Sequence, residues 1–388
     1  MKRKSTQKEQ YKGFEQGPIR PPSEAYSLLI RVTRNCPWNK CAFCPVYKGE
    51  KFSLRPVQHV KKDIDAVYEH VRALGSMSDS AGQVSRADLD AYVSKLSDSD
   101  RQAFYAALNW YAAGMESVFL QDANSMIISP EEMIEILQHL RTRFPGVVRI
   151  TAYARSHTVA RIADDRLKAI AKAGLNRLHI GMESGSDAVL KMVQKGTTKQ
   201  QHVKAGKKAV AAGIELSEYV MPGLGGRALS RSHALETADA LNQINPDYIR
   251  LRTLAIPGSV PLFEDYQAGR FEKLTDVEAA EEILLFLQNL EGIASRVRSD
   301  HILNLFEDIQ GTLPEDKERM TGVIEAFLAM APHDRMLYQV GRRLGQLRST
   351  DDLENPGVRS QLEDLCLKNG ITPDNVDAFI NEMMKRFI

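Results

Sequence analysis

Three cysteines lie close together near the start of the chain. Cys36, Cys41 and Cys44 fall within one nine-residue stretch, CPWNKCAFC, whereas Cys366 stands alone near the other end. A disulfide framework is not expected in a reducing compartment, and three cysteines would leave one thiol over. Three thiolates without a neighbouring fourth ligand suit an iron–sulfur cluster with one open iron better than a closed zinc site, which normally takes four ligands. Zinc with a distant fourth ligand such as Cys366 remains the alternative.

The elements that would position this loop form an alternating pattern. Short β-like runs alternate with stretches of helical period, which predicts βαβ units around a parallel sheet. Six runs are predicted to be strands: SLLIRVT (27–33), SVFLQ (117–121), VVRITAY (147–153), RLHIGM (177–182), IELSEYVM (214–221) and YIRLRTL (248–254). The cysteine loop follows the first strand, at the strand end where parallel sheets and barrels place their chemistry.

The rest of the chain predicts a domain organisation. Residues 1–23 are a basic N-terminal tail, 24–262 the α/β core and 263–388 a helical C-terminal domain, because the strand pattern stops after Pro261. A stretch rich in Ser and Asp, 76–101, is predicted to be an insertion in the first crossover.

The strand, the loop ending in Cys-x-aromatic-Cys and the following βα units together resemble the radical S-adenosylmethionine (radical SAM) enzymes. The first spacing departs from the family's common pattern: four residues separate Cys36 from Cys41, where three are usual. The resemblance implies a partial TIM-type (βα)6 barrel whose three cysteines hold a [4Fe–4S] cluster. In such enzymes S-adenosylmethionine is cleaved reductively to a 5′-deoxyadenosyl radical, which abstracts hydrogen from the substrate.

The resemblance extends beyond the cysteine loop. The stretch HIGMESGSDAVLKMVQKGTT (179–198) is similar to the tRNA methylthiotransferase, Elp3-like and oxygen-independent coproporphyrinogen oxidase branch. By that resemblance, Glu183 and Ser184 would meet the ribose or methionine end of the cofactor and Lys195 its carboxylate. The full set of implied cofactor contacts is Phe43, Asp122, Asn124, Tyr153, Glu183, Ser184, Lys195, Glu218, Thr253 and Leu254. The alternatives are local: Asp122 and Asn124 also suit an ordinary turn, and Ser184 a helix cap.

Substrate contacts are predicted from cations and from one polar segment. Arg250 and Arg252 share one face of the last strand, and Arg155 ends the third strand, so all three are candidates for binding an anion. His301 and Asn304 lie three residues apart in the C-terminal region. They are candidates for substrate contacts on a lid; alternatively, Asp300 merely caps a helix over 301–309.

Composition limits the function classes. The 388 residues carry 51 Lys and Arg against 50 Asp and Glu, so no global field gathers nucleic acid or an anionic membrane. The locally basic residues of the tail are Lys2, Arg3, Lys4, Lys8 and Lys12. No apolar run is long enough to span a membrane, and no secretory signal is visible, which predicts a cytoplasmic protein.

These observations predict a radical SAM enzyme acting on a small, anionic substrate under anaerobic conditions. The expected chemistry is rearrangement, dehydrogenation, decarboxylation or carbon–carbon bond chemistry, with ferredoxin or flavodoxin as the electron donor. No second cysteine set is available for an auxiliary cluster. The alternatives are a tRNA-modifying radical SAM enzyme, with nucleic acid as the partner, and a non-catalytic metal- or RNA-binding protein on a degenerate barrel.

Overall fold

The computed structural model describes residues 9–384 of the chain. These residues contain ten β-strands and fifteen α-helices, joined by loops and short 3₁₀ turns. The strands are β1 (Leu28–Arg31), β2 (Thr33–Arg34), β3 (Ser53–Leu54), β4 (Ser117–Gln121), β5 (Arg149–Ala154), β6 (Arg177–Glu183), β7 (Glu215–Val220), β8 (Tyr248–Leu251), β9 (Arg296–Arg298) and β10 (Gly311–Thr312). Of the basic residues of the tail, Lys2, Arg3, Lys4 and Lys8 lie outside the described residues.

The helices fall mainly between and after the strands. They are α1 (Val57–Met77), α2 (Arg86–Val93), α3 (Asp98–Ala112), α4 (Pro130–Arg143), α5 (Ser156–Val159), α6 (Asp164–Lys172), α7 (Asp187–Met192), α8 (Lys199–Ala211), α9 (Gly226–Ile244), α10 (Pro261–Gln267), α11 (Asp276–Gln288), α12 (Lys317–Ala329), α13 (Pro332–Arg343), α14 (Pro356–Lys368) and α15 (Val376–Met384). Within the described residues, no helix is both long enough and apolar enough to cross a membrane.

The chain divides into two compact units. The first consists of Met1–Pro37, Gly49–His179 and Ala211–Ile214. In it β1 pairs in parallel with β4, and β4 with β5, with Leu28 opposite Val118 and Val118 opposite Ile150. All three residues are buried, as expected for a parallel sheet covered by helices. The first residues of β6 continue this sheet.

The second unit consists of Trp38–Lys48, Ile180–Val210 and Glu215–Ile388. It contains the remainder of β6, followed in the sheet by β7, β8, β9 and β10. The strand β8 pairs in parallel with β7 and β9, whereas β10 runs antiparallel to β9.

All six predicted strands are present, and the predicted fold class is confirmed as a mixed α/β fold with a largely parallel sheet. The first predicted run ends earlier than expected, because Thr33–Arg34 turns to pair with Ser53–Leu54 as a separate antiparallel ribbon. The Ser- and Asp-rich stretch 76–101 contains α2 and the start of α3. Its serines act partly as N-caps: Ser85 accepts a hydrogen bond from the backbone of Asp88.

Two details of the C-terminal region differ from the sequence prediction. The region is mainly helical, but it also supplies β9 and β10, which are too short to show an alternating pattern. The helix predicted over 301–309 is absent, and the segment forms turns. The reason lies in distant side chains: Arg342 donates to the carbonyl of Leu305 at 2.8 Å and Arg343 to that of Leu303 at 2.7 Å. Arginine side chains therefore occupy the carbonyl groups that backbone amides would bond to in a helix.

Candidate functional site

The second half of the cysteine loop is docked on the segment that follows α7. The amide of Ala42 donates to the carbonyl of Val193 at 2.8 Å, and the Trp38 indole donates to the carbonyl of Gln194 at 2.7 Å. The indole also lies against Gly196, where a Cβ would approach it to 2.3 Å. A glycine is required twice over, because its φ is +70°. These contacts fix Cys41 and Cys44, which pack against a core cluster of the second unit.

Lys195 and Glu183 form an ion pair beside this loop. The Lys195 ammonium lies 3.1 Å from Glu183 Oε1 and 5.5 Å from the ring centroid of Phe43, within cation–π range. Both charged side chains are mostly buried, with exposures of 12% and 13%. Glu183 ends β6 with a φ of +65°, an uncommon conformation for a non-glycine residue. Gly181 leaves room for the pair, since a Cβ there would meet Glu183 Oε1 at 2.4 Å.

Glu218 is the most unusual carboxylate among the described residues. It lies on β7 with no solvent exposure, and neither carboxyl oxygen has a hydrogen-bond partner within residues 9–384. Burial raises the pKa of Glu218 well above its usual range, and the negative charge of Glu183 raises it further, whereas Lys195 acts in the opposite direction. The protein environment therefore favours the protonated, neutral form of this side chain.

Ser184 belongs to a buried network that sequence analysis did not identify. Its hydroxyl lies 2.8 Å from His233 Nδ1 and accepts a hydrogen bond from the Ser186 amide at 3.0 Å. The other ring nitrogen of His233 lies 3.0 Å from the carbonyl of Met221, so the imidazole links the end of β6 to the end of β7. Glu282 extends this network by accepting from the Gly223 amide at 2.7 Å. Because 49 residues separate Ser184 from His233 along the chain, no local motif signals this contact.

Asp122 is held by an ion pair in the first unit. Arg31 approaches Asp122 Oδ2 to 2.7 Å, and the amide of Asn35 donates to the same oxygen at 3.2 Å. Gly17 covers the other oxygen so closely that a Cβ would lie 2.2 Å from it. The neighbouring Gln121 accepts from the Gly17 amide at 2.8 Å. The stretch around Gly17 therefore packs against the end of β4.

Asn124, Tyr153 and Arg155 also lie in the first unit. Asn124 accepts a hydrogen bond from the amide of Arg155 at 3.0 Å and donates to Thr158 at 2.8 Å, so its side chain orders the turn after β5. The Tyr153 ring packs edge-to-face on Phe119, with centroids 5.0 Å apart. The polar atoms of Asn124 therefore bond to the turn that follows β5.

Thr253 and Asn304 come together at the end of β8. The amide and hydroxyl of Thr253 donate to Asn304 Oδ1 at 2.9 and 3.0 Å, and the Asn304 amide group donates to the carbonyl of Leu251 at 2.9 Å. Asn304 thus anchors the turn segment to the sheet. Leu254 belongs to the core cluster that also contains Phe43.

The two strand arginines have different environments. Arg250 is buried and lies 2.5 Å from Asp300, while its Nε donates to Ser217. The positive charge of Arg250 is therefore neutralised by a carboxylate of the same chain. Arg252 follows β8 and is exposed. Burial, together with the charge of Arg252, lowers the pKa of His301 to about 4.

The donor set fits an iron–sulfur cluster by its chemistry. None of the four cysteines forms a disulfide, and Cys36, Cys41 and Cys44 are partly exposed in one loop. Cys366 lies on α14 with 2% exposure, and burial raises the pKa of its thiol, as expected for a structural cysteine. No three Cys, His, Asp or Glu side chains of residues 9–384 are already arranged as a metal site.

Comparisons with known proteins agree with this assignment. The family model described as "Radical SAM superfamily" matches residues 30–238, more than half of the chain. A curated relative is the tRNA uridine(34) acetyltransferase of Methanocaldococcus infernus, 22% identical over 122 residues, which are 31% of this chain and 23% of the relative. The chain thus spans less than a quarter of that protein.

Several solved structures are similar at low identity. N-terminally truncated Elp3 of Methanocaldococcus infernus is 16% identical with a TM-score of 0.38, covering 47% of this chain and 48% of that one. Methylornithine synthase (PylB) is 13% identical with a TM-score of 0.42, covering 71% of this chain and 66% of that one. On the strength of the family match, the chain belongs to the radical SAM superfamily and is a radical SAM enzyme, with a [4Fe–4S] cluster and S-adenosylmethionine as its cofactors.

Proposed function

We propose that this enzyme abstracts hydrogen from a small, anionic substrate, with Cys36, Cys41 and Cys44 as the cluster ligands. These cysteines would hold a [4Fe–4S] cluster that, after reduction by an external electron donor, would supply the one electron that splits S-adenosylmethionine into methionine and a 5′-deoxyadenosyl radical. The observation that carries the assignment of the cofactor site is the docking of the cysteine loop beside the Lys195–Glu183 pair. This assignment is supported by the contacts of Lys195 with Glu183 and Phe43 and by the packing of Cys41 and Cys44 against the core cluster that contains Phe43.

The residues of this constellation suit the polar parts of S-adenosylmethionine. Lys195 carries the charge that pairs with a carboxylate, and Glu183 can accept hydrogen bonds from hydroxyl or ammonium groups. In its protonated form, which burial favours, Glu218 can both donate and accept a hydrogen bond. Its two unsatisfied oxygens are costly in a buried position, and a hydroxyl-bearing ligand would offset that cost.

Support for an anionic substrate comes from the cations at the strand ends. Arg252 is exposed, whereas the charge of Arg250 is neutralised by Asp300. We therefore assign substrate binding to Arg252 in preference to Arg250, with His301 beside Arg252 as a neutral hydrogen-bonding group.

Anaerobic reconstitution tests the enzyme assignment. The wild-type protein should bind about four irons, and with dithionite it should form 5′-deoxyadenosine from S-adenosylmethionine. Cys41→Ala should lose the cluster and this activity, whereas Cys366→Ala should retain both. Lys195→Met should keep the iron content and raise the KM for S-adenosylmethionine at least tenfold. Iron binding and 5′-deoxyadenosine formation by Cys41→Ala at wild-type levels would rule out the ligand assignment.

A second candidate function is tRNA modification. It is favoured by the relative named tRNA uridine(34) acetyltransferase, although the match covers only 31% of this chain. The reconstituted enzyme should be incubated in one experiment with unfractionated tRNA. In a second experiment it should be incubated with deuterated small-molecule fractions of a cell extract. Deuterium incorporation into 5′-deoxyadenosine from a small-molecule fraction supports the first proposal. Saturable tRNA binding with tRNA-dependent 5′-deoxyadenosine formation supports the second.

A further inference from the structure

A cavity of about 80 Å³ lies within the second unit. The turns after β7 and β8 form one side, and the start of α11, the end of α13 and α15 form the other. Its walls include Gly223 and Leu254 as well as four charged residues, Lys273, Asp276, Arg343 and Asp377. None of these charged residues takes part in the cofactor contacts described above.

The charged side chains that line the cavity are mostly buried. The side chains of Arg343 and Asp276 are 3% and 12% exposed and lie 2.7 Å apart. The Lys273 ammonium donates to Asn381 at 2.5 Å. Burial lowers the pKa of Lys273 and raises that of Asp377, since both groups lose hydration. Two cations and two carboxylates therefore share this small space, with no net charge between them.

Two polar atoms of this cluster have no partner among the described residues. Arg343 uses its terminal nitrogens on Asp276 and on the carbonyl of Leu303, but its Nε–H donor is buried and unsatisfied. The second oxygen of Asp276 is likewise buried without a partner. An unsatisfied buried donor or acceptor destabilises the folded protein, because the group has lost its hydrogen bonds to water without replacing them. Such atoms normally have a partner. Both belong to residues that line the cavity, and both are covered by protein, so a ligand in the cavity would reach them by opening the Arg343–Asp276 pair.

The size and the mixed charge define the ligand. A single water needs about 10–15 Å³, so the cavity has room for a molecule of several heavy atoms. A simple anion would leave the Asp276 oxygen unmet and be repelled by two carboxylates. A simple cation would leave the Arg343 donor unmet and be repelled by two cations. A zwitterion satisfies both, because its carboxylate accepts from Arg343 and Lys273 while its ammonium donates to Asp276 and Asp377.

We propose that this cavity binds the zwitterionic group of a small α-amino acid. The site belongs to the second unit alone and does not depend on the cluster. Its test is therefore separate from that of the proposed reaction, and either can fail without the other.

Calorimetry on the full-length protein without its cluster tests the site. Glycine, L-alanine and L-serine serve as probes, with acetate and methylammonium as single-charge controls. At least one amino acid should bind saturably and raise the Tm, and both controls should bind at least tenfold more weakly. The absence of saturable binding by all three amino acids would show a merely solvated cavity and overturn the proposal, as would equal binding of acetate.

Variants locate the binding to this cavity. Asp377→Asn and Lys273→Met should each weaken amino-acid binding at least tenfold. Lys273→Met removes a charge that is partly desolvated, so the variant should fold with an unchanged or higher Tm. Arg166→Gln, on the exposed face of α6, is the control and should bind like the wild type. Folded variants that bind as tightly as the wild type would overturn the proposal.

Discussion

Glu218 has the environment of a group that titrates far from its usual range. Its carboxyl oxygens are buried between a like charge and an opposite one, and no hydrogen bond of the described residues reaches them. In the unfolded chain the same group loses its proton near pH 4.5. Between that pH and the folded pKa, the unfolded state binds fewer protons than the folded state, so stability falls as the pH rises.

Glu218→Gln should therefore stabilise the protein at pH 8. The amide has nearly the shape of the protonated acid but cannot lose a proton, so the variant does not carry the cost of keeping this carboxyl group buried at a pH where it would ionise in water. Urea unfolding at pH 5 and pH 8 measures the effect. The wild type should lose more stability than the variant over this range, and Glu215→Gln on the same strand should behave like the wild type. An identical pH dependence of the wild type and Glu218→Gln would contradict the raised pKa.

At the level of elements, the turn from β6 into α7 is fixed by close backbone contact with α9. A Cβ on Gly185 would lie 2.4 Å from the carbonyl oxygen of Glu236 and 2.7 Å from the Cα of Thr237. The Gly185 amide also donates to the Thr237 hydroxyl at 2.8 Å. The glycine in the ESGS sequence thus lets a helix approach, whereas Gly181 makes room only for the ends of two flexible side chains.

The two glycines should respond differently to alanine. Gly185→Ala forces the backbone of α9 to move and should cost about 2–3 kcal/mol, as overpacking of a core does. Gly181→Ala should change stability little but displace Glu183 and Lys195, raising the KM for S-adenosylmethionine. Urea unfolding and 5′-deoxyadenosine kinetics separate the two effects. Gly75→Ala in α1, where a Cβ meets nothing within 4 Å, is the control. Equal stability losses for both glycines would contradict this interpretation.

The elements also show what the sequence could predict. The six long strands were predictable because buried parallel strands form apolar runs bounded by turn signals. The turns of 301–310 were not, because their carbonyls are held by Arg342 and Arg343, about 40 residues further along. Lys195 and Glu183 were both recognised from a local motif, but their pairing with each other was not predicted, and neither was Arg31 as the partner of Asp122.

For the molecule as a whole, acid sensitivity should come in part from a buried cluster in the first unit. Glu24 is fully buried, accepts a hydrogen bond from Ser27 at 2.5 Å and lies 3.3 Å from His179 and 3.4 Å from Arg149. Burial alone would raise its pKa, but the hydrogen bond and charge of His179, with smaller effects of Ser27 and Arg149, lower the pKa to about 2. The resulting stability is present above pH 4.5 and is lost as the pH falls towards 2.

Glu24→Gln should lower the free energy of unfolding by about 3 kcal/mol at pH 7. Below pH 4.5 the difference from the wild type should shrink, because the wild-type carboxyl takes up a proton on unfolding. Urea titrations at pH 7 and pH 3 measure both values. Glu131→Gln, at an exposed ion pair on α4, should leave both unchanged. A constant difference between Glu24→Gln and the wild type at the two pH values would contradict the lowered pKa.

The burial of Cys366 has a practical consequence for the whole chain. An alkylating reagent attacks thiolates, and this thiol is both covered by protein and raised in pKa. In the folded protein the reagent should therefore modify only the partly exposed thiols of the loop. Intact-mass spectrometry would then report three added groups before cluster assembly and none after it. The number of alkylated thiols thus measures the fraction of protein that holds a cluster, and no label has to be introduced into the chain.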